Sequence, residues 1–309
     1  MENILHELRE SQLRDFPLAK KNYSNFDNIR TKSINFGSFK ICIQYNPDRM
    51  ISTGAKLDNA SITKRKCFLC SQNMPKEQTC IEYNSKFSIY INPFPIFPYH
   101  FTIPAKSHTP QRIKENILDL LNICKDFSGY SCFYNGPKSG ASIPDHMHFQ
   151  LVNKGTLQIE EDYKNTELSF NLCENKNYSI SVLNNYIRKV IILKSKNIDN
   201  TSEQFRIIYN ILQGNLEIEP MMNIIAWFDK NTWIITIFPR KAQRPKEFFM
   251  DGKEKIMFSP GCADVGGLVV APRIEDYNKY NKDIIHHLFE QVVLDDKNWN
   301  SIIKKLQNH

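Results

Sequence analysis

"YNGPKSGASIPDHMHFQLV", residues 134–152, runs out of a glycine-bearing loop into a segment that alternates in character. Met147, Phe149, Leu151 and Val152 favour a strand over "DHMHFQLV", and successive side chains of a strand leave on opposite faces. His146, His148 and Gln150 then share one face, and Met147, Phe149 and Leu151 the other. The apolar face joins a core. The polar face either lies open to water or meets a metal, a ligand or its own members, since buried polar groups need partners. Ahead of the strand, Gly136, Gly140 and Ser142 sit in a loop whose amides can approach a phosphate without a Cβ in the way, although the same residues suit an ordinary Gly-Pro turn.

The flanking chain extends the sheet. "FKICIQY" (39–45) alternates Phe39, Ile41, Ile43 and Tyr45 with Lys40, Cys42 and Gln44, the period-two pattern of a half-buried strand. "KFSIYINPF" and "YHFTIPA" read as two more strands, parted by the prolines of "NPFPIFP". A helix is expected over 110–126, with Thr109 as its cap, Pro110 in its first turn and Ile113, Ile117, Leu120, Leu121 and Cys124 as its apolar stripe. "SCFYNG" then returns as a strand. Further on, "LKSKNIDNTSEQ" (193–204) reads as a polar loop, and Phe205, Ile207, Ile208 and Ile211 mark an amphipathic segment. "MNIIAWFDKNTWIITIFPR" reads as a hairpin whose β-rich runs flank "DKNT". The order strand, helix, strand, strand thus occurs twice, as in an internal duplication. A C-terminal helix is expected near 277–293. The fold class is α+β, with antiparallel sheets and crossing helices.

With 309 residues and 41% hydrophobic content, the chain can bury its core as one large domain or as two packed halves of about 150 residues each. No apolar run reaches about 18 residues, and "MENILHELRESQLRDF" is polar and mixed in charge, so no membrane partner and a cytoplasmic setting are expected. Eight cysteines without an export signal read as thiols or metal ligands, and only Cys67 and Cys70 of "KRKCFLCSQNMP" are close enough to share a job. The net charge of +7 comes from basic residues interleaved with acidic ones, without a Lys/Arg run. That suits a phosphate-bearing small substrate at least as well as nucleic acid, which is not the expected partner.

The loop and strand together resemble the histidine-triad superfamily in its nucleotidyltransferase branch, which holds galactose-1-phosphate uridylyltransferases, diadenosine tetraphosphate phosphorylases and nucleotide-sugar phosphorylases. The resemblance lies in Asn135, Gly140, Ala141, Ser142, His146, His148 and Gln150, and in "NPFPIFPYHFTIP". It covers residues 36–155 well and the remainder loosely. One departure is the spacing from Gly140 to His146, longer by one residue than the uridylyltransferase pattern. The resemblance implies two fused histidine-triad-like halves: residues 1–172 as a catalytic half and 173–309 as a degenerate second half, together one compact unit.

It further implies that His148 attacks an α-phosphorus and carries the nucleotidyl group, while Gln150 donates a hydrogen bond to the phosphoryl group. Zinc is the implied cofactor. C-x-x-C leaves a tetrahedral zinc two ligands short, and in the uridylyltransferases two histidines at places matching His108 and His146 complete a closed, structural site with Cys67 and Cys70. Two free thiols on a loop remain the alternative. Asn92 is a candidate ribose or phosphate contact, or else merely opens the turn before Pro93. Arg240 and Arg244 of "FPRKAQRP" either face a leaving-group or acceptor phosphate or form a solvated basic turn. The implied partners are a nucleotide sugar or dinucleoside polyphosphate as donor and inorganic phosphate, favoured over sugar 1-phosphate, as acceptor; a homodimer is also compatible. Residues 259–273, a glycine-bearing loop and strand, have no assigned role.

Overall fold

The computed structural model describes residues 2–55, 58–214 and 219–309. Its strands are β1 (Arg30–Asn35), β2 (Lys40–Tyr45), β3 (Cys80–Glu82), β4 (Ser88–Ile91), β5 (His100–Pro104), β6 (Tyr130–Asn135), β7 (His148–Asn153), β8 (Ser169–Glu174), β9 (Tyr178–Leu183), β10 (Ile191–Ser195), β11 (Met222–Asp229), β12 (Thr232–Pro239) and β13 (Leu268–Ala271). Ten of them form one antiparallel sheet in the order β3-β4-β5-β7-β6-β11-β12-β10-β9-β8, and β1-β2-β13 form a smaller sheet in which β13 runs parallel to β2.

The large sheet is a repeat. Strands β3 to β7 occur in the spatial order 3-4-5-7-6, and β8 to β12 occur as 8-9-10-12-11 read from the far edge, so each strand has its counterpart five strands later. Helix Ile117–Asp126 joins β5 to β6, and helix Ile198–Gln213 joins β10 to β11 at the corresponding place. The two sets meet where β6 pairs with β11, Phe133 opposite Ile225. A division at 172/173 would cut β8; the chain passes from one set to the other over residues 154–168.

The sheet separates two cores. Ile224 and Ala226 of β11 pack with Leu120, Leu121, Phe205 and Ile208 of the two crossing helices. Ile225 and Trp227 pack on the other face with Ile41 and Ile43 of β2, Val269 of β13 and Phe289 of helix Lys282–Val292. Burial on both faces explains why β11 reads as an unbroken apolar run, and each fully buried side chain of this size contributes about 1.5–3 kcal/mol. The hairpin turn puts Lys230 and Asn231 at φ 46° and 58°, the left-handed pair that a two-residue hairpin requires.

Three elements differ from expectation. The helix over 110–126 begins only at Ile117, because residues 109–113 are tied elsewhere: Thr109 O accepts from Met147 N, the Gln111 side chain bonds β6 and β7, and Ile113 N donates to Glu219. Ile113 is nonetheless buried with the rest of the stripe. The supposed loop at 193–204 is the end of β10 and the start of helix Ile198–Gln213, where Asn197 Oδ1 caps Asn200 N. In place of one helix near 277–293 there are Ile274–Lys279 and Lys282–Val292, followed by Asp296–Gln307, with Asn281 and Asp295 as side-chain caps for the last two.

Candidate functional site

β7 starts at His148, not Asp145, so His146 lies just before the strand. Because β5 and β7 pair antiparallel with Pro104 opposite His148, the residues after β5 and those before β7 emerge at the same end of the sheet. His108 and His146 therefore meet, and the turn carrying Cys67 and Cys70 closes over them. Cys67 Sγ is 3.3 Å from His146 Nδ1, and Cys70 Sγ is 3.2 Å from His108 Nδ1 and 3.6 Å from His146 Nδ1. All four ligand atoms lie within 4.8 Å of one another. Tetrahedral zinc with Zn–N about 2.0–2.1 Å and Zn–S about 2.3 Å has ligand-to-ligand edges of about 3.3–3.8 Å, so the donor set fits such an ion. His146 Nε2 is 2.7 Å from the Ala105 carbonyl, to which it donates, so the Nδ1 lone pair is presented to the sulfurs. His108 Nε2 lies 3.8 Å from the Asp145 carboxylate, which also pairs with Arg65. Burial pushes the Cys67 thiol up, but with no cation bound a doubly protonated His146 ring can donate from Nδ1 to its sulfur, and this bond with that from the Leu69 backbone outweighs burial and holds the thiol at about 6, favouring the thiolate a cation binds. These four residues could hold a metal ion.

His148 is 5% exposed. Its Nδ1 donates to the His146 carbonyl at 2.8 Å, which leaves Nε2 as the unprotonated nitrogen. Burial lowers its pKa to about 4, so the ring is neutral near pH 7. A neutral imidazole in one tautomer is the form a nucleophile requires. Gln150 is oriented by a residue the sequence reading overlooked. Ile96 N donates to His100 Nδ1 at 3.1 Å, so His100 Nε2 carries the hydrogen and donates to Gln150 Oε1 at 2.8 Å. Burial takes His100 down to about 3, keeping it in that neutral tautomer. The Gln150 amide nitrogen is thereby left as the donor on a residue that lines a cavity.

That cavity is lined by Gln150, His100, Asn135 and Gly140 to Ser142, together with Arg49, Arg244 and residues of the segment Ser259–Asp264; His148 borders it through these neighbours and is not itself in its wall. Asn135 is structural at its tip: Oδ1 accepts from Asn223 Nδ2 at 2.7 Å and from Cys262 N at 2.8 Å. Gly140 has φ +93°, and a Cβ there would stand 2.6 Å from Gly261 Cα, so glycine is required for close approach of the 260–261 backbone. Residues 259–264, unassigned in the sequence, thus form a wall of the site.

The two arginines separate. Arg240 is buried and saturated: its guanidinium donates to Asn223 Oδ1 and to the carbonyls of Pro260, Ala242, Gln243 and Val292. It is neither a solvated turn residue nor free to meet a phosphate. Arg244 lines the cavity, with Nε on Ser259 and Nη2 on the Thr53 and Ala55 carbonyls. Arg49, which no sequence pattern marked, joins it there with Nη1 bonded to Phe94 O. Asn92 Oδ1 accepts from Phe94 N at 2.9 Å, the turn-opening role, and Asn92 is not part of the cavity wall.

Residues 8–153 match the family model of a domain of unknown function, DUF4922, and residues 161–308 match that of the GDPGP1-like C-terminal domain. No curated protein matches the chain. Among solved structures, yeast Ap4A phosphorylase Apa2 in complex with Ap4A is 15% identical with a TM-score of 0.64, over 93% of this chain and 97% of that one. The same enzyme with AMP gives 15%, a TM-score of 0.58, and 92% and 97%. A GalT-like protein from Arabidopsis thaliana is 11% identical, over 84% of this chain and 99% of that one, at a TM-score of 0.34. The likeness to Apa2 is one of fold over nearly the whole length of both chains.

Proposed function

We propose that this chain, which carries the fold of the nucleotidyltransferase branch of the histidine-triad superfamily, transfers a nucleotidyl group through His148 to inorganic phosphate. The observation that carries this reading is the His148 imidazole, neutral and fixed by its Nδ1 bond to the His146 carbonyl, beside a cavity lined by polar donors. His148 Nε2 attacks the α-phosphorus of a nucleotide sugar or dinucleoside polyphosphate. The bond to the leaving phosphate breaks, and a phosphorus–nitrogen bond forms. Gln150, held through its oxygen by His100, donates from its amide nitrogen to a non-bridging oxygen. Gly140, Ala141 and Ser142 offer further donors, and Arg49 and Arg244 face the charge of the remaining phosphate. Inorganic phosphate then takes the nucleotidyl group from His148, releasing a nucleoside diphosphate.

Zinc held by Cys67, Cys70, His108 and His146 would be fully coordinated, so its contribution would be structural: it would pin His146, the residue from whose carbonyl the His148 ring takes its orientation. Support for a phosphorylase comes from the shared fold with an Ap4A phosphorylase. The test is incubation of the protein with nucleotide sugars and dinucleoside polyphosphates, with and without phosphate. Turnover that requires phosphate supports the proposal. Equal turnover in phosphate-free buffer makes the protein a hydrolase, turnover only with sugar 1-phosphate makes it a transferase of the uridylyl type, and binding with no turnover makes it a nucleotide binder.

A further inference from the structure

Gln111 lies outside the cavity wall and outside the metal cluster, yet it is 1% exposed and its amide is fully engaged with backbone. Its Oε1 accepts from His148 N at 2.8 Å, and its Nε2 donates to His148 O and to Asn135 O, both at 3.0 Å. The reason lies in the sheet. β6 and β7 pair from Tyr130/Asn153 up to Phe133/Gln150 and then part, while β6 continues to Asn135 against β11. The pair that would come next but one is Asn135 with His148. On the other side of β7, Ala105 N donates to the Met147 carbonyl, and by the alternation of an antiparallel ladder the N–H and C=O of His148, opposite Pro104, turn away from β5 toward β6. The first residue of β7 would therefore leave its own N–H and C=O without a strand partner, inside the protein, at the residue whose ring must be aimed.

We infer that Gln111 is a positioning residue for His148: its side-chain amide takes the place of a strand's peptide group, filling the gap between β6 and β7 and fixing the backbone from which the His148 ring is directed. The same amide fastens His148 to Asn135, whose side chain bonds Cys262 N next to it in the cavity wall. The nucleophile and this part of the wall are thus held to one frame. Gln111 is itself held from both sides, by Met147 N on Thr109 O at 2.7 Å and by Ile113 N on Glu219 at 2.7 Å. The inference rests on the reading of His148 as the nucleophile.

The test compares the full-length wild type with Gln111→Met, which keeps the volume and loses the hydrogen bonds, and Gln111→Glu, which keeps an acceptor for His148 N and loses both donors. Because either could simply unfold, metal content and thermal midpoint are measured alongside. The probe is Ap4A labelled at the α-phosphates, or, if that does not label the wild type, a UDP-, GDP- or ADP-sugar so labelled. Each protein is assayed for probe dissociation constant and for the single-turnover rate of covalent labelling. For both variants the inference expects a cooperative fold, the wild-type metal content and a dissociation constant within about threefold of wild type, with labelling slowed by about 100-fold, the cost of misplacing a reacting atom by about 1 Å. Slowing no greater than the loss of folded, metal-loaded protein or of binding overturns it, as does labelling at the wild-type rate. Wild-type protein that takes no label from any probe, or takes it elsewhere than His148, instead overturns the reading on which the inference rests.

Discussion

His108 gives a clean way to weigh the metal site, because its side chain is 46% exposed and its replacement empties little of the core. His108→Ala removes one of the four candidate ligands and leaves Cys67, Cys70 and His146 in place. Loss of an exposed imidazole alone should shift stability by no more than about 0.5 kcal/mol. Loss of a metal present at about 1,000 times its dissociation constant removes about 4 kcal/mol. With an unfolding entropy of about 2.1 cal/mol/K per residue over 309 residues, or about 0.65 kcal/mol/K, that loss lowers the thermal midpoint by about 6 °C. Elemental analysis of chelator-free protein should give about one zinc per wild-type chain and clearly less for the variant, and scanning calorimetry should show the 6 °C difference. A chelator should bring the wild type down to the variant's midpoint and leave the variant unmoved. A wild type that carries no zinc as purified and melts within a degree of the variant would refute the argument.

In the His146/His148 pair, His148→Ala should abolish acid-labile covalent labelling by an α-labelled nucleotide while zinc stays bound, and His146→Ala should lose zinc and stability first; mass spectrometry of the peptide containing "DHMHFQ" under alkaline conditions reads the label, and elemental analysis with a thermal melt reads the zinc and the stability. Asp162→Ala strands the fully buried Arg188, whose guanidinium Asp162 accepts from at 3.2 Å, and should cost about 3–5 kcal/mol in denaturant unfolding. Burial raises the Glu219 carboxyl to about 7 from 4.5. Below pH 4.5 it is protonated in both states, and as pH rises from there through 7 the folded state keeps a proton the unfolded chain has lost, so stability declines across that window by an amount on the order of 3 kcal/mol. Glu219→Gln should flatten that decline, and parallel pH profiles for the two proteins would contradict the assignment.

The residues legible in the sequence are those whose partners sit on the same or an adjacent element. Phe149 and Leu151 against His148 and Gln150 fix the faces of β7 by period alone, and the hairpin at Lys230 and Asn231 is written in the two runs beside it. The first turns of helix Ile198–Gln213 are hidden because Asp199, Asn200 and Thr201 are polar where a capped helix begins, so that only the later stripe from Phe205 to Ile211 is legible. Gln111 looked like a first-turn residue because nothing local says that its amide is wanted 24 and 37 residues away, at Asn135 and His148. Arg240 looked exposed for the same reason: the carbonyls that surround it come from residues 242, 243, 260 and 292. Arg49 and Ser259–Asp264 reach the cavity only through tertiary packing, and their local sequence carries no periodic or chemical signature of it.

The parallel pairing of β13 with β2 places Leu268–Ala271 beside residues 42–45, across most of the chain's length. In biosynthesis this sets an order of events. His148 and its loop leave the ribosome early, but the cavity wall at Ser259–Asp264 and the strand that seats it follow more than a hundred residues later. A chain released before that point has its imidazole and no pocket around it. The nucleotide capture proposed above therefore has to wait until residues 259–271 have been made, and a product truncated ahead of Ser259 should be inert rather than partly active.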